Sequence, residues 1–192
     1  MANTIVKGDT ITIPDPPLAH TLFSTTKFAW LFALLRIYLG YEWFNAGLHK
    51  VTDPAWTAGG AALKGFWERA VQVPAEGRPP ITYGWYREFI SFMLDRDYYT
   101  WFAPLVAYGE LLIGIALIVG AFVGIAAFFG AFMNWNFIMA GAASTNGMLF
   151  ALAVVLMLAW KVAGWYGLDR YLLPLIGTPW APALKPVPAT SA

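Results

Sequence analysis

The sequence predicts an all-α integral membrane protein, a four-helix bundle with a long amphipathic loop between its first and second spans. Three observations carry this expectation. The 192 residues are 59% hydrophobic and only 12% charged, with mean hydropathy +0.57, whereas a soluble domain carries about 25% charged residues. Residues 98–143 form an apolar run whose single charge is Glu110. Glycine-rich and polar turn signals divide the rest into segments about as long as the roughly 20 residues a bilayer crossing requires.

The first span is expected over residues 28–48. As one helix the run 98–143 would be roughly 70 Å long, far beyond one crossing. It therefore has to fold back, most readily at GAFVG (120–124), giving spans over 100–119 and 125–143. STNG (144–147) is the next turn, and a fourth span follows over 148–168. Ahead of the spans, residues 1–27 form a polar tail with Asp9, Asp15 and PDPP. This tail lacks the compact apolar core and small-residue cleavage site of a signal peptide, so the first apolar segment is expected to be retained. Residues 169–192 hold Pro174, Pro179, Pro182, Pro186 and Pro188 and read as an extended tail.

The loop 51–97 carries two helical patterns. Leu63, Phe66, Trp67, Ala70 and Val71 follow the spacing of an amphipathic helix. Trp85, Tyr86, Phe89, Phe92 and Met93 repeat it after the breaker VPAEGRPP. Such helices lie on a membrane surface, as interfacial anchors or as a cover over the bundle mouth. Ten tryptophans and a 17% aromatic content fit rings anchored at lipid interfaces.

Composition excludes several chemistries. A net charge of +1 offers nothing to a nucleic acid. The chain has no cysteine, which removes disulfides, thiolate metal sites, iron–sulfur clusters and cysteine nucleophiles. There are two histidines, one of them, His20, in the polar tail, so a bis-histidine haem within the membrane is not available from this chain alone. No flavin fingerprint and no metal-ligand set is evident.

The candidate functional residues are the polar groups inside apolar spans, where a charge costs roughly 2.5–3.5 kcal/mol on insertion scales. Helical rise places Arg36 and Lys161 roughly 10–12 Å from the side holding the termini, and Glu110 roughly 15 Å. These depths predict an interior ion-pair cluster of Arg36 and Glu110, with guanidinium and carboxylate matched in a fork; Lys161 either joins it or snorkels to the nearer interface. Tyr38, Glu42, Asn45 and His49 follow i, i+4, i+7, i+11 and predict a second polar stripe, opening toward the loop side. Asn134 and Asn136 reach a similar depth but point about 200° apart, so one is expected to line a cavity and the other to bond across helices.

In order along the chain, GLHKVTDP (47–54), GELLIGIALIVG (109–120), NWNFIMAGAASTN (134–146) and AWKVAGWYGLDRY (159–171) resemble the DoxX/DoxD family of four-helix membrane proteins. The resemblance covers nearly all the membrane part. It implies that Glu110 and the Gly47–Lys50–Pro54 elbow are recurrent features of the fold. It further implies a multi-pass protein of the prokaryotic plasma membrane with cytoplasmic termini. The charge count leans the other way: the loop carries Lys50, Lys64, Arg69, Arg78, Arg87 and Arg96, against Lys7, Lys27, Arg170 and Lys185 in the termini.

Some members of that family are subunits of a thiosulfate:quinone oxidoreductase. The resemblance thus implies a quinone as electron acceptor, Glu42, His49 and Glu110 in catalysis, and Tyr38, Asn45, Lys50, Asn134 and Asn136 around substrate or quinone. A second oxidoreductase subunit would be a partner besides membrane lipid, and self-association is compatible with the fold. The alternatives are a non-catalytic membrane adaptor of a redox complex and a small-solute or proton transporter. The transporter lacks an inverted repeat or broken-helix pair to support it.

Overall fold

The computed structural model describes residues 5–7, 10–12 and 15–177. Ten α-helices carry the described chain: α1 Pro17–Phe23, α2 Ala29–Val51, α3 Pro54–Thr57, α4 Ala61–Ala70, α5 Gly84–Asp95, α6 Tyr99–Val119, α7 Val123–Met139, α8 Asn146–Leu158, α9 Trp160–Ala163 and α10 Asp169–Ile176. The protein is thus all-α, apart from a short antiparallel ribbon of β1 Ile5–Lys7 and β2 Thr10–Thr12, with Val6 opposite Ile11.

The N-terminal tail is more structured than its composition predicts. Pro17 sits at the first position of α1, where its missing N–H costs nothing. A 3₁₀ turn over Thr26–Phe28 runs into α2, and α1 meets this Thr26–Val51 segment at a 57° bend. At the other end of α2, Asp53 accepts a hydrogen bond from the Ala55 N–H at 2.9 Å and Pro54 opens α3. This Asp–Pro pair turns the chain sharply off the bundle.

The packing is organised by α2 and α6, which run antiparallel in the most extensive helix pairing of the molecule. Small residues set their distance. A Cβ at Gly47 would collide with the backbone of Leu111, and one at Gly114 with the backbone of Phe44. The two backbones therefore touch, as close-packed membrane helices do where glycine lines the seam. The second strong pair is α7 with α8. Phe32, Leu39 and Trp43 of α2, Ile113 and Leu117 of α6, a row of alanines on α7, and Leu156 of α8 make the main core.

A second core lies at the loop end, where Leu63, Trp67 and Ala70 of α4 meet Tyr86, Ile90 and Met93 of α5 and Ala103 of α6. The loop helices thus dock on one end of the bundle. On α5 the buried face is Tyr86, Ile90 and Met93, while Trp85, Phe89 and Phe92 are exposed. Of the five residues read from periodicity as one face, Trp85 and Phe92 therefore turn away from the protein, while Phe89 is partly exposed at the edge of a cavity.

The fourth helical segment is shorter than its hydropathy predicts. α8 ends at Leu158, α9 adds one turn, and the chain then folds back. The Leu168 N–H donates to Val119 O at 3.2 Å and the Asp169 N–H to Gly120 O at 2.8 Å. Residues 164–168 are thus a turn seated on the α6–α7 connection rather than the end of a span. Of the tail expected to be extended, Asp169–Ile176 is helical and contains Pro174; Pro179, Pro182, Pro186 and Pro188 lie outside the described residues.

Among the described residues, α6 alone is long and apolar enough to cross a membrane unaided, and α1 with α2 passes the same measure as a bent pair. α7 and α8 are apolar but shorter. Only 39% of the most apolar window of α6 is buried, so most of this apolar helix faces outward. Its outer face exposes Leu105, Leu112, Ile115 and Val119, and α7 exposes Phe128, Phe129 and Phe132.

Candidate polar cavity

Arg36, in the middle of α2, is buried at 1% exposed. It does not meet Glu110. Its Nη1 donates to the carbonyls of Leu117 and, at 2.8 Å, Ile118, and its Nη2 reaches Tyr166 O at 3.3 Å. The α2–α6 register explains this. Gly40 lies opposite Leu117 and Ile118, and Gly47 opposite Glu110 and Leu111. Arg36, more than a turn before Gly40, is therefore level with the C-terminus of α6, whose last carbonyls have no partner within the helix. A guanidinium there satisfies them and complements the negative end of the helix dipole. Lys161 is exposed and lines a shallow surface recess with Asp15 and Trp160. The expected Arg36–Glu110–Lys161 cluster is not formed.

Glu110 pairs instead with Lys50, Nζ to Oε2 2.6 Å, with Glu110 1% and Lys50 21% exposed at the side chain. The same ammonium lies 5.1 Å from the centre of the Trp56 ring. An ion pair in so dry a setting is held by geometry: each charge loses its hydration, and the partner must replace it. Lys50 still has two further N–H donors beyond the one on Glu110.

This pair forms part of the wall of a cavity of about 640 Å³ between α2, α4, α6, α7 and the start of α8. The cavity also touches Glu42, Trp43, Arg69, Asn134 and Asn146. Two carboxylates and two cations balance in charge. Asn134 has no solvent exposure, and neither its Nδ2 nor its Oδ1 has a hydrogen-bond partner. The Trp43 indole N–H is likewise buried and unpartnered. Such groups each cost about 1–3 kcal/mol when nothing pairs them, so their presence against a cavity marks a place built to receive something polar. Phe66, Phe137 and Trp56 supply its flat apolar walls.

Of the residues chosen from sequence, Glu42, Lys50, Glu110 and Asn134 meet in this cavity. Tyr38 and His49 are exposed, Asn45 is half-buried, and none of the three borders it. The face that does so is Glu42, Ala46 and Lys50, spaced i, i+4, i+8, with Trp43 beside it. Asn136 looks elsewhere: its Nδ2 donates to Phe132 O at 2.8 Å and its Oδ1 accepts from the Tyr86 hydroxyl at 3.1 Å. Arg69, Trp43, Trp56 and Asn146 were not among the sequence candidates. Only Arg69 carried a signal, as a cation on the helix predicted to cover the mouth. Asn146 itself is held by its Nδ2 bond to Ala142 O at 2.6 Å.

The fold and site together define a helical protein with a charge-balanced polar cavity beneath docked loop helices. Residues 31–165 match the DoxX family, and the chain belongs to that family of membrane proteins. No curated protein and no solved structure matches the chain.

Proposed function

We propose that this chain is the quinone-binding membrane subunit of an oxidoreductase acting on a small sulfur compound such as thiosulfate, of the DoxD-like kind. The observation that carries the reading is the unpartnered, fully buried amide of Asn134, a residue that lines the cavity holding Lys50 and Glu110. A quinone head group is planar and accepts hydrogen bonds at two carbonyl oxygens. Asn134 and the spare N–H donors of Lys50 fit those oxygens, and Phe66, Phe137 and Trp56 fit the ring faces. The volume lies within the roughly 300–1,000 Å³ of typical ligand sites. When bound, a quinone supplies a two-electron, two-proton acceptor. Glu110, held beside Lys50, is the group placed to pass a proton at its Oε atoms, and Glu42 stands at the same cavity.

The cavity suits a neutral head group better than a dianion, since Glu42 and Glu110 offset Lys50 and Arg69. The chain has no cysteine to carry sulfur covalently. Sulfur oxidation therefore belongs to a partner subunit, and this chain receives the electrons. In the same reading the protein crosses a prokaryotic plasma membrane four times, through α2, α6, α7 and the α8–α9 pair, with both termini cytoplasmic. The outward aromatic and aliphatic faces of α6 and α7 support it. Because the chain lacks cysteine, one cysteine introduced at Glu76 reports directly which side the loop faces.

The deciding experiment is titration of the detergent-purified chain with a quinone, read by tryptophan emission, followed by thiosulfate addition with and without a co-expressed partner subunit. Saturable quenching that Asn134→Leu abolishes, with quinone reduction only when the partner is present, is the expected result. No saturable binding overturns the quinone reading and leaves the non-catalytic adaptor, which the absence of any cysteine also favours.

A further inference from the structure

A second cavity, about 260 Å³, lies beside the first, between α4, α5 and the loop-side parts of α6 and α7. Its walls include Trp67, Ile90, Met93, Phe102, Val106 and Met133. Besides the Trp67 indole, its polar side chains are Tyr86 and Asn136, which bond to each other, Asn136 also to Phe132 O, so neither of these two is left waiting for a ligand. The chamber is thus apolar in chemistry as well as in lining, the kind of space that stays dry and accepts hydrocarbon. By volume it falls short of a complete ligand site, roughly 300–1,000 Å³. Leu63, Phe66 and Phe137 line both cavities, and Phe66 and Phe137 are only half-buried side chains. The wall shared by the polar and apolar compartments is therefore a pair of aromatic rings and one leucine.

We propose that the two cavities form one site for an amphiphile, with the head group beside Asn134 and Lys50 and an apolar tail in the chamber under α5. Resting on the quinone reading above, this makes the ligand a tailed membrane quinone and not a small water-soluble one. It also explains why α4 and α5 dock on the bundle, since they enclose the tail on the side away from the bundle core. Tyr86 and Asn136, tied together across the chamber, fix α5 against α7.

The test uses the full chain in detergent and two quinones with the same head group, one without a tail and one with a short isoprenoid tail bearing a diazirine. The tailed quinone should bind at least about tenfold more tightly, since burying even two methylenes is worth that much. Photolabelling should fall on peptides containing Met93 and Met133. Val106→Phe, which fills the chamber without bordering the polar cavity, should remove the gain from the tail and the labelling while leaving the tail-less quinone bound as before; Met133→Trp serves if Val106→Phe fails to fold. Equal labelling of exposed residues such as Phe128 and Phe129 in wild type and variant overturns the chamber. Chamber labelling that Asn134→Leu leaves unchanged overturns the head-group assignment and the joined site with it. Binding that depends on Asn134 but gains nothing from the tail overturns the chamber alone.

Discussion

Arg36 and Asp169, 133 positions apart by their numbering, grip the same interhelical connection from two sides. Arg36 donates to the last carbonyls of α6, and Asp169 accepts from the first N–H groups of α7, Phe122 at 2.6 Å and Val123 at 2.9 Å. The connection between them turns through Gly120 and Phe122, both left-handed. A cation on the C-terminus of one helix and an anion on the N-terminus of the next is the arrangement their dipoles favour. Arg36 is thereby a structural residue, remote from the polar cavity, despite being a charge deep in an apolar segment.

Arg36→Met keeps the apolar stem and strands the carbonyls of Leu117, Ile118 and Tyr166. The expected loss is about 1–3 kcal/mol for each buried acceptor left without a partner. Thermal melting in detergent measures it. Quinone affinity per folded molecule should not change, because Arg36 does not border either cavity.

Two glycine substitutions should differ in sign. Gly47→Ala drives a methyl into the Leu111 backbone, where no side chain can yield, so α2 and α6 must separate; overpacking of this kind costs about 1–3 kcal/mol. Gly65→Ala, inside α4, meets only Arg69 Nη1 at 3.5 Å and should gain roughly 0.5–1 kcal/mol from helix propensity. A melting-temperature comparison of the two variants settles both.

The long apolar helices α2, α6 and α7 were legible because apolar runs and glycine breakers report local structure directly, whereas α1 and α10 in the tails and the early end of α8 were not. α6 begins at Tyr99 and ends at Val119, within a residue of the hydropathy reading. The partners of Arg36 and Glu110 were not legible. Depth counted from helix ends assumes that neighbouring helices start level, and the glycine contacts of α2 with α6 offset them instead. Likewise a polar stripe of Tyr38, Glu42, Asn45 and His49 is a fact about one helix, whereas the face that meets a cavity is chosen by packing. Gly40 and Gly47 turn toward α6, and this carries Lys50 inward while His49 stays exposed.

Lys50→Met leaves the Glu110 carboxylate buried without its 2.6 Å partner, and breaking one side of a buried pair costs about 3–5 kcal/mol. Adding Glu110→Gln removes the stranded charge, so the double variant should be more stable than Lys50→Met alone. A double-mutant cycle of melting temperatures measures this coupling. An additive cycle would mean that the pair contributes nothing to the fold.

Tyr86 has its hydroxyl pushed up to about 12 by burial, so it remains a neutral donor to Asn136 throughout the physiological range. The stabilisation is complete below the ordinary tyrosine value, near 10, and is lost as pH rises through about 12. Tyr86→Phe should delete the latest component of the phenolate absorbance titration. It should also cost about 0.5–1.5 kcal/mol at neutral pH through the lost hydrogen bond.

Asn134→Leu separates fold from function most sharply. Both amide atoms are buried and unpartnered within the protein, and this costs the fold about 1–3 kcal/mol. Leucine has nearly the same volume and no polar atoms, so the variant should melt higher than wild type. The same change removes a donor the quinone head group needs, so affinity should fall by at least about tenfold, the equivalent of about 1.4 kcal/mol. A group that destabilises its own protein and is retained beside a polar cavity is expected where binding recovers the cost. A variant that melts lower and binds as well as wild type would show Asn134 to be a structural amide and would overturn the head-group assignment.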